Sequence, residues 1–126
     1  MKTILLVDHD LGFVFWLGQT LDRAGYEALP AKDIAGAVSL IEELQLDVDL
    51  LVIQPALSGA AEFVEKLCQD RPTVKVIAAS DPENLTEVLL PGANAFRKKP
   101  ALTGPADPEE WLSMIEHLLA TSSSAG

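Results

Sequence analysis

The chain has 126 residues and a mass of 13.5 kDa; 48% of its residues are hydrophobic, and 19 acidic against 9 basic side chains give a formal charge of −10. The mass scaling laws give about 20,000 Å² of surface unfolded and about 6,500 Å² folded, enough burial for one core and too little chain for two domains. The acidic balance disfavours binding to phosphate backbones, and the lone Cys68 excludes an internal disulfide framework or a multi-cysteine zinc site.

Taken in order, short apolar runs alternate with helical patterns. Ile4-Leu5-Leu6-Val7 reads as a strand that stops at Asp8. This opening run is too short for a signal-peptide core, and no later stretch has the length of a membrane span, so the expectation is a cytoplasmic protein without membrane insertion. Leu11 to Ala24 has helical length and ends at Gly25, a residue suited to the left-handed turn after a helix. Tyr26 to Leu29 is a weaker strand, closed by Pro30. Asp33 is placed to cap a helix through Leu44, with Ile34, Ala37, Val38, Ile41 and Leu44 on one face. Leu50 to Ile53 is a second wholly apolar strand, followed by Gln54-Pro55. Ala60 to Gln69 is helical, with Phe63, Val64 and Leu67 inward and Cys68 at a core-facing position as a small hydrophobe.

Val74 to Ala79 is a strand. Asp81-Pro82 opens a short helix to Leu90, Ala95 to Lys98 is a last strand, and Asp107-Pro108-Glu109-Glu110 has the form of a capping box. The order is (βα)₅. Strands that are apolar throughout are buried on both faces, which predicts a doubly wound parallel sheet between two helix layers, an α/β/α sandwich. Residues 1–120 form this domain, and Thr121 to Gly126 has no apolar anchor and reads as a tail or linker.

A parallel sheet delivers the residues that end its strands to one edge, where open α/β folds place their sites. Asp8, His9 and Asp10 follow the first strand, Gln54 the third, Ser80 and Asp81 the fourth and Lys99 the fifth. No glycine-rich phosphate loop follows any strand. One imidazole with one or two acids makes a poor transition-metal site, and Ser58 and Ser80 lack the base or elbow of a nucleophilic serine. No enzymatic centre, cofactor or metal is expected.

Ile4-Leu5-Leu6-Val7-Asp8, Gly25-Tyr26-Glu27, Asp49-Leu50-Leu51-Val52-Ile53, Val76-Ile77-Ala78-Ala79-Ser80 and Gly92-Ala93-Asn94-Ala95-Phe96-Arg97-Lys98-Lys99-Pro100 together resemble the receiver domain of two-component response regulators, over about residues 2–120. The resemblance implies a flavodoxin-like fold. It also implies a pocket in which two adjacent acids bind Mg²⁺ and an aspartate ending strand three takes phosphate from a histidine kinase. A hydroxyl and a lysine hold the phosphoryl group, and an aromatic on strand five changes rotamer. Asp8, Ser80, Lys99 and Phe96 match that pattern. His9 stands at the second acid and Gln54 at the phosphoacceptor.

A neutral amide oxygen is a poor nucleophile, so the resemblance points to a degenerate receiver acting as a phosphorylation-independent interaction module. Unconventional phosphorylation or a small ligand in the pocket is one alternative, and a small flavodoxin-like cofactor binder or enzyme is another. The run Phe13-Val14-Phe15-Trp16-Leu17 exceeds what one helix face buries. With Leu17, Leu21 and Ala24 facing the sheet, Val14 and Phe15 point outward with Leu11 at the edge, a candidate surface for a signalling partner or a second copy. Lys99 is expected to pair with Asp8 or Gln54. An output domain after the tail is compatible with this reading.

Overall fold

The computed structural model describes residues 1–81, 90–100 and 107–121. Its elements run β1 (Thr3–Val7), α1 (Leu11–Arg23), β2 (Glu27–Ala31), α2 (Ile34–Leu44), β3 (Leu50–Ile53), α3 (Ala60–Asp70), β4 (Lys75–Ser80), β5 (Ala95–Lys98) and α4 (Pro108–Thr121). The helix read from Pro82 lies outside the described residues except for its last residue, the buried Leu90, as do the loop residues 101–106 and the tail from Ser122. All strand pairs are parallel, in the order β2-β1-β3-β4-β5. That order is the flavodoxin-like one, and it reverses direction between β1 and β3, where such sheets open a crevice at their carboxyl edge.

The apolar strands sort their side chains by alternation. Leu5, Val7, Leu51, Ile53, Val76 and Ala78 face one way, into a core closed by Ala37, Phe63, Val64 and Leu67 of α2 and α3. Ile4, Leu6, Leu50, Val52, Ile77 and Ala79 face the other way, under Phe13, Val14, Leu17 and Leu21 of α1 and Trp111 and Ile115 of α4. Each fully buried Leu, Ile or Phe contributes about 1.5–3 kcal/mol by area transfer, so the two faces are the main source of stability. The helices start where the sequence predicts: Asp10 accepts from the Phe13 amide (3.2 Å) and Asp33 from the Gly36 amide (2.7 Å). Gly25, at φ 93°, turns the chain after α1.

Four expectations need correction. The first concerns α1, which buries Val14 (7% exposed) together with Phe13, Leu17 and Leu21. At about 100° per residue these four span one arc of roughly 100°, from which Phe15 points away. Ala24, used to orient the predicted face, is the exposed C-cap and gives no orientation. Second, β2 runs through Pro30 rather than stopping before it. As an edge strand, β2 tolerates a residue that cannot donate outward. Third, Val38 and Leu44 of α2 are exposed, and Leu46, beyond the left-handed turn at Gln45, packs on the core instead. Fourth, Asp107 accepts from the Glu109 amide at 2.9 Å, while the Glu110 carboxylate, expected to close a capping box, pairs with Arg97 of β5 instead.

Candidate functional site

The carboxyl edge gathers a lysine among carboxylates. Parallel registers place Val7 beside Ile53, and Ser80 beside Lys98, so the residues that follow these strands meet at one point. The backbone fixes their entry. The amides of Asp8, Gln54 and Lys99 donate to the carbonyls of Ala31, Val7 and Ser80, at 3.0, 2.9 and 2.8 Å. Among the described residues Asp8, Gln54 and Lys99 are the buried polar or charged ones, each 1–2% exposed. A buried polar or charged group without a partner is costly, so each of these three side chains must find one.

Lys99 Nζ lies 2.7 Å from Asp81 Oδ1, 3.0 Å from Asp8 Oδ2 and 3.5 Å from Asp10 Oδ2. Its fourth side is the ring of Phe13, with the centroid 5.3 Å away, a cation–π contact supplied by the buried face of α1. The other Asp8 oxygen accepts from the Asp10 amide at 2.9 Å. Gln54 is held at both ends: its Nε2 donates to Asp81 Oδ1 (3.2 Å) and its Oε1 accepts from the Ala56 amide (3.3 Å). Among the described residues no buried side-chain nitrogen or oxygen lacks a partner.

The electrostatics follow from this cage. Burial pushes the Lys99 ammonium toward losing its proton, but the Asp81 and Asp8 carboxylates outweigh it and hold the pKa above the ordinary lysine value. Burial likewise pushes Asp10 up, and the Phe13 amide together with Lys99 brings it below the ordinary aspartate value. Three carboxylates share one ammonium, so the pocket keeps a net negative field.

Lys99 thus meets Asp8 as expected, and Gln54 joins only through Asp81. Asp81 bridges the lysine and the amide, a part that sequence reading did not give it, although its position directly after β4 was the available signal. His9 is brought to the rim rather than into the pocket: its side chain is 66% exposed and Nδ1 is 3.8 Å from Asp8 Oδ1. Ser80 is half-buried at the end of β4, and Ser58 is exposed on the loop before α3. Phe96 is 53% exposed on β5. Its neighbour Arg97 turns to the opposite face, where it pairs with Glu110 and lies 6.0 Å over the Trp111 ring. Leu11 and Phe15 are exposed on α1, while Val14 is not. Asp49 lies at the far edge of the sheet, accepting from the Thr3 amide at 2.8 Å.

A five-stranded parallel sheet of this order, with an acid after β1 and a lysine after β5 closing on one another, defines a class of open α/β domain with its pocket at the carboxyl edge. No family model matches the chain. Over 100 residues it is 34% identical to the uncharacterized transcriptional regulatory protein YrkP of Bacillus subtilis, covering 77% of this chain and 42% of that protein. Over 124 residues it is 28% identical to the phosphate regulon transcriptional regulatory protein PhoB of Pseudomonas aeruginosa, covering 94% of this chain and 52% of that one. The chain therefore spans about half the length, or less, of these curated relatives. The crystal structure of a CheY-like response regulator receiver domain protein from Methanospirillum hungatei JF-1 superposes with a TM-score of 0.81 at 26% identity, over 100% of this chain and 99% of that one. The domain is a CheY-like response regulator receiver domain, a module of two-component signalling. Among its described residues no helix is long and apolar enough to cross a membrane.

Proposed function

We propose that this receiver domain signals without aspartyl phosphorylation, as a module whose protein-binding surface is permanently formed. The observation that carries the reading is Gln54: a buried amide at the end of β3, with its oxygen on the Ala56 amide and its nitrogen on Asp81. Acyl-phosphate formation needs an ionised carboxylate oxygen to attack phosphorus and expel the donor's leaving group. The Gln54 oxygen belongs to a neutral amide, carries no negative charge and is held on the Ala56 amide, so it is too weak a nucleophile for that step.

The residues also fit a resident Mg²⁺ poorly. A hard dication takes six oxygens in near-octahedral array. The buried carboxylate here, Asp8, has one oxygen on the Asp10 amide and the other on the Lys99 ammonium, and the neighbouring positions hold His9 and Gln54. Lys99 serves in this reading as the internal counter-ion of the pocket, Ser80 and Phe96 as remnants of a switch, and Leu11 and Phe15 as the contact surface. Residues 1–120 act as the receiver unit of a longer regulator, joined through the segment from Thr121 to an output domain. That arrangement is supported by the transcriptional regulators of about twice its length that it resembles. The domain has no enzymatic role of its own.

Incubation with acetyl phosphate and Mg²⁺, read by intact mass, tests this. The expected result is an unchanged mass. A gain of one phosphoryl group, abolished by replacing one pocket residue such as Asp8 or Gln54, overturns it.

A further inference from the structure

The outer side of α1 sets an apolar knob beside an apolar groove. Leu11 is 71% and Phe15 68% exposed. Next to them, at the β2 edge of the sheet, lies a groove of about 430 Å³ whose walls are Leu6, Val14, Gly18, Ala28 and Pro30 with those two side chains. Gly18 has no side chain to fill its floor. None of the lining residues ionises.

Three features narrow what covers it. Strand addition is obstructed: Glu27 and Ala31 spend their backbone groups on β1, so by the alternation of a parallel ladder Ala28 and Pro30 turn theirs outward, and Pro30 has no N–H to give. A partner chosen by charge finds no counter-charge in the groove. A second copy of a chain carrying −10 is repelled over most approaches, yet the groove at the centre of this face holds no ionisable group, and the exposed Asp22 on the same stripe lies two turns away from Phe15. Finally, a twofold contact requires one patch to be its own complement, and a protruding aromatic directly beside a receiving groove on the same helix meets that requirement.

We propose that α1 is the seam of a twofold homodimer, with Phe15 of each copy seated in the Gly18-floored groove of the other. The inference rests on the reading of Leu11 and Phe15 as the contact surface and adds the occupant. A 13-residue helix is about 20 Å long, and one helix with a strand edge covers less than the roughly 800 Å² per partner of a stable complex, so the dimer is weak and concentration-dependent.

Sedimentation equilibrium of the 126-residue chain, from about 10 μM to about 1 mM, reads this directly. The mass is expected to rise from 13.5 kDa toward twice that value. Added salt should increase the dimer fraction, because it screens the repulsion between two copies that each carry −10. Phe15→Gln should remain monomeric across the range with an unchanged circular dichroism spectrum. Gly18→Ala should keep the fold, since its Cβ meets Leu6 Cδ1 at an ordinary 3.8 Å, and weaken association several-fold by filling the floor. A monomer at every concentration overturns the proposal, as does a dimer that salt dissociates or that folded Phe15→Gln does not weaken. Those results leave the phosphorylation-independent reading standing, because it fails only if acetyl phosphate adds mass.

Discussion

Replacing Lys99 with methionine removes the cation on which three carboxylates converge, and the cost can be worked from their exposures. Asp8 is 2% exposed, and after Nζ, at 3.0 Å, is gone it keeps the Asp10 amide and the exposed His9 imidazole, both on its other oxygen. Removing one partner of a buried ion pair costs about 3–5 kcal/mol, and a lost hydrogen bond to a charged group about 1.5–3. Asp81 and Asp10 have side chains 51% and 44% exposed, so water replaces the lysine there and each adds at most about 1 kcal/mol. Methionine retains contact with the Phe13 ring and returns part of the loss. The expected destabilisation is about 2–4 kcal/mol, a large share of the roughly 5–15 kcal/mol of a domain this size. Urea unfolding should show it as a lower midpoint at unchanged slope. Asp8→Asn combined with Lys99→Met should cost at least about 1 kcal/mol less than the sum of the single changes, since it removes the orphaned charge. A Lys99→Met cost under about 0.5 kcal/mol, or strict additivity with Asp8→Asn, would refute the view of this pocket as a buried ion pair.

Adjacent residues of α1 should behave oppositely. Val14→Lys should lower stability by about 2–4 kcal/mol, because it drives a charge under the helix, whereas Phe15→Gln should stay within about 0.5 kcal/mol; equal thermal shifts would contradict the observed facing. Stability should also fall at alkaline pH. The raised pKa of Lys99 contributes stability that is fully present below its unfolded value of about 10.4 and is lost as pH rises through the folded value, so the decline should be smaller in Lys99→Met, with the raised Tyr26 and Cys68 groups supplying what remains. At the acid end the lowered pKa of Asp10 contributes in the reverse sense: present above the unfolded value and lost as pH falls through the folded one, to be followed by comparing Asp10→Asn with the parent chain.

Much of this architecture is legible in the chain alone, because it depends on local pattern. Leu50-Leu51-Val52-Ile53 has no polar side to offer water, so it must be sandwiched, and that implies parallel strands under two helix layers. The pairing of Asp8 with Lys99, 91 positions apart, follows from the same topology: both residues end strands, and parallel strands end at one edge. Pattern is weaker where several phases fit equally well. Five apolar residues in a row on α1 admit more than one inward arc, and only packing against Leu6 and Val52 places Val14 inside and Phe15 outside. Pro30 reads as a strand breaker until the sheet order makes β2 an edge, where a missing donor costs nothing. Asp81 reads as a helix cap, and its bridge between Lys99 and Gln54 exists only once β4 lies between β3 and β5. Hydrophobic periodicity is written along one dimension, so it determines what is buried. Which buried or edge groups meet is decided by sheet order and helix rotation, since desolvated charges take whatever partners the tertiary contacts bring within reach.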